Sequence, residues 1–168
     1  MKMIKVDEVF SKNLIMVVAD LANEIWHEHY SMILASDQID YMVEKYQSEE
    51  AIGSQIVDGY KYYLAEVDGE YAGYIGMQPQ REDGKMFISK VYVLKEYRGL
   101  GIASRFFELA NEIAKNEGLT TLWLTVNRQN IDSVAVYRHE GYETVREEDT
   151  PIGKGFVMND YVMEKTVE

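Results

Sequence analysis

Cysteine is absent from all 168 residues. That single absence excludes disulfides, a thiol nucleophile and a zinc–thiolate centre. Proline is nearly absent as well, with 2 residues, and no stretch is low in complexity, so disorder is not expected away from the two ends. No run approaches the ~20 apolar residues that a membrane helix needs, which argues against a membrane partner. The opening Met1-Lys2-Met3-Ile4-Lys5-Val6-Asp7-Glu8 carries an acid pair where a signal peptide would carry its apolar stretch. Without a repeat or a change of composition to mark a linker, residues 1–168 read as a single domain, and a cytoplasmic location agrees with the missing thiols. Positive charge is also short: 17 Lys and Arg stand against 29 Asp and Glu, a net charge of −12. Such a chain repels a phosphate backbone, which disfavours nucleic acid as a partner, and it steers cations toward itself.

Among the residues that are present, apolar positions recur with helical spacing through the first third. Leu14, Val18, Leu21, Ile25 and Ile33, with Val17 and Trp26 beside them, predict a helix over 13–34. Ser36 reads as an N-cap for a helix to about Gln47, and Ser48 opens a third helical piece to Val57. Strands are expected at 62–67 and 71–77, joined by the hairpin signal Asp68-Gly69, and at 86–93 after a polar turn. An amphipathic helix over 102–116 comes next, then a strand at 121–126, a short helix at 133–139 and a final strand pair at 143–146 and 156–165. A helix between two strands connects parallel neighbours, so the pattern is a mixed α/β sheet with crossovers.

One segment carries most of the chemical information. Val91-Tyr92-Val93 ends a strand, Arg98-Gly99-Leu100-Gly101-Ile102-Ala103 follows, and a helix begins at once. The first N–H groups of a helix lack intrahelical partners and, with the helix dipole, suit phosphate oxygens. Gly99 and Gly101 let the backbone come close to a ligand. These local dipoles need no net positive charge, so an acidic chain can still bind an anion here. The segment lacks the Lys of a P-loop. It also lacks the third Gly and the later acid of a Rossmann fingerprint, because Ser104 stands at the one place and the next strand ends in Thr125-Val126-Asn127. A plain Gly-rich turn capping a helix is the remaining structural alternative.

The same segment resembles the [RQ]-x-x-G-x-[GA] motif of the GNAT superfamily of N-acetyltransferases at every fixed position. A second set of residues supports the likeness. Val126, Asn130, Ala135, Tyr137, Gly141 and Tyr142 follow the family's x-V-x-x-x-N and A-x-x-x-Y-x-x-x-G-[FY] pattern, with Ala135 nearer to the Tyr than usual. The resemblance covers roughly residues 62–165, while the first third matches only in being helical. It implies a GNAT α/β fold, with a mixed central sheet, flanking helices and an N-terminal helical segment. It also implies acetyl-CoA as co-substrate and an amine as acceptor, and many members pair as homodimers. By the resemblance, backbone groups of Val91, Tyr92 and Val93 pair with pantetheine, and Arg98, Gly99, Leu100, Gly101, Ile102 and Ala103 hold the pyrophosphate. Asn130 hydrogen-bonds the pantetheine arm or the pyrophosphate, and Tyr137 is the general acid that protonates the departing thiolate. The chemistry agrees: a thiolate leaving group is readily reprotonated by a hydroxyl aimed at the sulfur. Tyr137 can also be read as a core tyrosine, since the chain has 13 Tyr.

The general base stays open. Many members of the family carry a Glu on the strand before the loop; the matching residue here is Phe87. Glu66 on the first clear strand is one alternative, and water or a backbone carbonyl is another. Eight acids between Asp20 and Glu50 face one Lys, Lys45, with Trp26, His27, His29 and Tyr30 among them. That composition suits either a cationic acceptor or a solvated acid face with Trp26 in the core, the second being favoured. His27 and His29 fall on different helix faces and make a poor metal pair, so no metal site is expected. The stretch 159–165 loosely resembles the last strand of spermidine/spermine-type acetyltransferases, which puts polyamines and other small cationic amines ahead of peptide amines. Without a cysteine to carry an acetyl group, direct attack in a ternary complex is expected. The competing function is a non-catalytic module that senses acyl-CoA.

Overall fold

The computed structural model describes residues 2–168. The order of elements is β1 (Ile4–Glu8), α1 (Lys12–Tyr30), α2 (Ser36–Tyr46), α3 (Glu49–Val57), β2 (Lys61–Val67), β3 (Glu70–Gln80), β4 (Lys85–Val93), α4 (Ile102–Asn116), β5 (Thr121–Asn127), α5 (Ile131–His139), β6 (Glu143–Gly153) and β7 (Phe156–Thr166). The strands hydrogen-bond in the order β1-β2-β3-β4-β5-β7-β6. β4 and β5 are parallel, as the helix between them requires, and the β1–β2, β2–β3, β5–β7 and β6–β7 pairs are antiparallel. This is the mixed α/β sheet with flanking helices that the pattern predicts. No helix among the described residues is long and apolar enough to cross a membrane.

The chain forms two compact units. The first comprises the chain up to Gln78 together with Lys90–Phe106. Its three helices form in the predicted order, although α1 ends at Tyr30 and leaves Ile33 and the rest of 31–34 in the turn before α2. Val18, Leu21, Ala22 and Ile25 make the buried stripe of α1, Ile39 and Met42 that of α2, and Ile52 is buried on α3. Ser11 caps α1 by accepting from the Leu14 amide at 3.2 Å, and Ser48 caps α3 by accepting from the Ala51 amide at 3.2 Å. Ser36 is the first residue of α2 and not its cap; Ala35 holds the cap position without a side-chain bond. His27 on α1 donates from Nδ1 to the Asn23 carbonyl at 2.8 Å and from Nε2 to Asp40 of α2 at 2.6 Å. Two acceptors favour the imidazolium, so the His27 pKa is raised, first by the carbonyl and then by the carboxylate. Trp26 lies in the core, while seven of the eight acids between Asp20 and Glu50 are exposed and Glu49 is half-buried. The acid face is therefore solvated.

β1 departs from the expectation that the first segment of structure is helical. It has five residues, alternates half-buried and exposed positions, and pairs from Ile4↔Val67 to Glu8↔Tyr63. So short a strand has no periodicity strong enough to read; its partner β2 makes it a strand.

A buried polar cluster fills the space between β4 and the turn from α2 to α3. Lys90 is 5% exposed. Its Nζ donates to the Tyr46 carbonyl at 2.7 Å, to Gln55 Oε1 at 2.7 Å and to the Tyr62 hydroxyl at 2.5 Å. Tyr62 in turn donates to Gln55 Oε1 at 2.5 Å, and Gln55 Nε2 donates to the Tyr46 carbonyl at 3.2 Å. Beside them the Tyr74 hydroxyl donates to the buried Gln47 at 2.9 Å. Desolvation lowers the Lys90 pKa to about 7.

The second unit comprises Pro79–Ser89 and Phe107–Glu168. Leu122, Leu124 and Val126 alternate inward along β5, with Val162 and Met163 of β7 also buried. β6 extends to Gly153, past the short strand that the composition predicts, because β7 supplies partners from Glu143↔Glu164 to Gly153↔Phe156. Pro79 and Gln80 likewise end β3 where a turn was expected, and Gly84 closes the short turn that follows with φ +68°.

Candidate active site

In the first unit, β4 delivers Val91, Tyr92 and Val93 directly into the glycine loop. Tyr92 packs against Trp26 of α1 at 5.7 Å between ring centroids and against Tyr74 at 5.6 Å. A short helical turn at Lys95–Tyr97 is pinned on both sides: Glu28 accepts from the Lys95 amide at 2.9 Å, and the Tyr97 hydroxyl donates to Glu70 at 2.5 Å. Arg98 folds back, donating from Nε to the Val93 carbonyl at 3.3 Å, with a guanidinium nitrogen 3.4 Å from His29 Nδ1. Gly99 and Gly101 then take φ +81° and +82°. At both, an added Cβ would meet nothing within 4 Å. What demands glycine here is therefore the left-handed backbone and not crowding. The result is an exposed, unobstructed cradle of backbone amides at the start of α4, whose first turn has N–H groups free of intrahelical partners. Leu100 and Ala103 line it half-exposed, whereas the Ile102 side chain turns into the core.

The second unit holds Asn130 and Tyr137. Asn130 is 4% exposed and caps α5, its Oδ1 accepting from the Ser133 amide at 3.4 Å. The capping oxygen is thus committed, which leaves the amide NH2 for other partners. Tyr137 lies half-exposed on α5, edge-on to Phe107 at 5.7 Å and 6.5 Å from the Tyr142 ring. Asn127 Oδ1 fixes the turn between β5 and α5 through the Gln129 amide at 2.8 Å.

Phe87, which stands where the resemblance expects a glutamate, stacks on Trp123 of β5 with centroids 4.3 Å apart. The Trp123 indole N–H is held by Gln80 Oε1 at 2.9 Å. A shallow pocket of about 270 Å³ opens beside this stack, edged by Asp83, Lys85, Arg146 and Glu164. Glu66 sits half-buried on β2, opposite Lys5 and Tyr71. Among the described residues no group of three or more His, Asp or Glu is placed to hold a metal. Two ionisable groups that the sequence reading passed over are buried: Lys90 in the first unit and Asp160 of β7 in the second. The signal for Lys90 was a cation in the interior of the expected strand 86–93.

Comparison with known proteins shows the family. The chain belongs to the Acetyltransferase (GNAT) family, whose profile matches residues 18–142. It is 26% identical over 145 residues to an uncharacterized N-acetyltransferase of Lactobacillus delbrueckii subsp. lactis, an alignment that covers 82% of this chain and 83% of that one. It is 24% identical over 127 residues to the probable N-acetyltransferase camello of Xenopus tropicalis; there the alignment takes in 75% of this chain and about half, 54%, of the relative. In fold it is similar to the paia N-acetyltransferase of Thermoplasma acidophilum, solved in complex with coenzyme A, with a TM-score of 0.82 and 23% identity over 98% of this chain and 99% of that one. The protein is an acetyltransferase of the GNAT type, and acetyl-CoA is its co-substrate.

Proposed function

We propose that the acceptor is a primary amine, with a small cationic amine of the polyamine kind ahead of a peptide amine, and that it attacks acetyl-CoA directly in a ternary complex. The observation that carries the CoA half of this reading is the open cradle at Gly99 and Gly101, both in the left-handed conformation at the start of α4. Pantetheine pairs along residues 91–93 as an added strand, and the loop from Arg98 to Ala103 receives the pyrophosphate. The free amide of Asn130 donates to the pantetheine arm or the pyrophosphate, and the Tyr137 hydroxyl protonates the departing thiolate. Residues 1–168 act as one acetyltransferase domain in this reading. The exposed acids of α1 and α2 and the net charge of −12 favour cationic acceptors.

Calorimetric binding of acetyl-CoA, followed by thiol release with spermidine, lysine and a peptide amine, tests the reading. Wild-type protein is expected to bind and to release thiol only when an amine is present. Gly101→Glu is expected to lose binding, because it sets a carboxylate and a strained φ where the pyrophosphate rests. Tyr137→Phe is expected to bind normally while kcat falls by about 100-fold. Binding without thiol release would turn the conclusion toward acyl-CoA sensing, and no binding would end the reading of residues 98–103 as a CoA loop.

A further inference from the structure

In the second unit β4 and β5 alternate along their length. Met86, Ile88, Leu122 and Leu124 are fully buried, while Lys85, Phe87, Thr121 and Trp123 on the opposite face are half-buried. A face left partly open to water normally carries polar residues. Here it carries a phenylalanine and an indole, stacked at 4.3 Å with 26° between their planes. Cross-strand stacking accounts for one face of the indole. It does not account for the pocket of about 270 Å³ that Trp123 borders together with Gln80, Asp83, Lys85, Arg146 and Glu164. The indole is also held in place, since its N–H donates to Gln80 Oε1 at 2.9 Å. A fixed aromatic wall beside a small cavity is a preorganised surface for a ligand.

Charge around the pocket decides what kind of ligand suits it. The cations at its edge are engaged: Lys85 Nζ donates to Glu164 at 3.0 Å, and Arg146 Nε donates to Glu148 at 2.7 Å. The carboxylates of Asp83, in the turn before β4, and Glu143, on β6, are exposed and make no hydrogen bond or ion pair among the described residues. Glu143 also stands directly opposite Glu164 in the β6–β7 register, a like-charge pair that a bound cation relieves. The strand order β4-β5-β7-β6 places Trp123 between the two free acids, with three strand spacings, roughly 14 Å, from β4 to β6. A compact monoamine reaches one of these acids. A flexible chain with several ammonium groups reaches both, and its methylenes and its cations both suit an aromatic surface.

We propose that this pocket is a binding subsite for an aliphatic polyamine, laid along Trp123 with its ammonium groups at Asp83 and Glu143. The inference rests on the reading above that a cationic amine is the acceptor, and it deepens that reading by naming the residues that select the amine. Trp123 takes the methylene chain and one ammonium group, the indole being the best ring for a cation. Asp83 and Glu143 hold the charged ends. Lys85 and Arg146 add little repulsion, because each is neutralised by its own carboxylate at hydrogen-bond distance. The free acids are exposed, so their attraction is screened by salt and the affinity is modest. Selectivity comes from the spacing of the acids about the aromatic wall.

The chain has 2 Trp, so the Trp123 indole N–H is readily assigned in a nitrogen–proton NMR spectrum by its loss in Trp123→Phe. Millimolar spermidine is expected to move that signal, while butylamine at the same concentration and sodium chloride at matched ionic strength leave it nearly unmoved. Asp83→Lys and Glu143→Lys change exposed side chains only and are each expected to weaken spermidine by about 10-fold while binding acetyl-CoA as wild type does. Trp123→Leu is expected to weaken spermidine by a similar factor of about 10. In thiol release these losses should fall on the KM for spermidine and leave kcat within about twofold. An indole signal that spermidine does not move, a shift that butylamine or salt reproduces, or lysine variants that bind spermidine like wild type would each overturn the subsite. Failure of the acetyltransfer reading looks different: wild type then shows the indole shift and releases no thiol with any amine.

Discussion

Replacing Lys90 with methionine is expected to stabilise the protein at neutral and acid pH, with the advantage shrinking by about 3 kcal/mol between pH 7 and about 10. The cause is the Lys90 pKa, lowered by burial from 10.5 in a free side chain to about 7 in the fold. Below pH 7 both the folded and the unfolded chain carry the charge, and the cost of burying it is fully present. Between pH 7 and 10 the unfolded chain binds a proton that the folded chain has released, so wild-type stability rises with pH. Methionine has no such dependence. It also strands little: Tyr62 keeps its bond to Gln55, and Gln55 keeps its bond to the Tyr46 carbonyl. A buried ion replaced by an apolar side chain of similar length is commonly neutral or stabilising by about 1–4 kcal/mol. Denaturant unfolding of both proteins at a series of pH values measures the gap. A gap that stays constant would mean that Lys90 does not change its protonation in this range.

Gly73→Ala is expected to destabilise the protein by about 2–3 kcal/mol and to weaken acetyl-CoA binding at the same time. A Cβ at this position of β3 would lie 2.5 Å from the Tyr92 carbonyl oxygen and 3.1 Å from Val93 Cα. Both obstacles are backbone, so no rotamer change relieves the clash. β4 has to move at the residues proposed to pair with pantetheine. Stability and ligand affinity should therefore fall together, whereas at Gly101 a side chain meets no neighbouring atom and only the left-handed φ of +82° is strained, so Gly101→Glu should lose more in binding than in stability. Unfolding midpoints and calorimetry on the same preparations check this. A loss of less than about 0.5 kcal/mol would show that the two strands yield at little cost.

The contrast between these residues follows how information is stored in the chain. The loop from Arg98 to Ala103 was legible because its parts are contiguous: the strand, the two glycines and the helix start occupy adjacent positions, and each obeys a local rule. The same holds for Ser11 and Ser48 as caps and for the apolar stripe of α1. β1 was not legible, because five residues with weak alternation become a strand only by pairing with β2, which lies more than fifty residues on. Phe87 could be named as a missing glutamate, but its stacking on Trp123 depends on the parallel register of β4 and β5.

Composition and local pattern by themselves determined the α/β class, the crossover helix between parallel strands, the glycine loop that opens α4 and the exclusion of thiol chemistry. These rest on interactions between near neighbours, or on residues that are simply absent. Only the tertiary structure decided that Lys90 is a buried cation among neutral acceptors, that Gly73 is bounded by the backbone of another strand, and that Asp160 is a buried acid opposite Asn127. Desolvation and crowding depend on what distant segments bring to a residue, and a lysine or aspartate in a strand reads the same in sequence whether its charge faces water or is taken out of it.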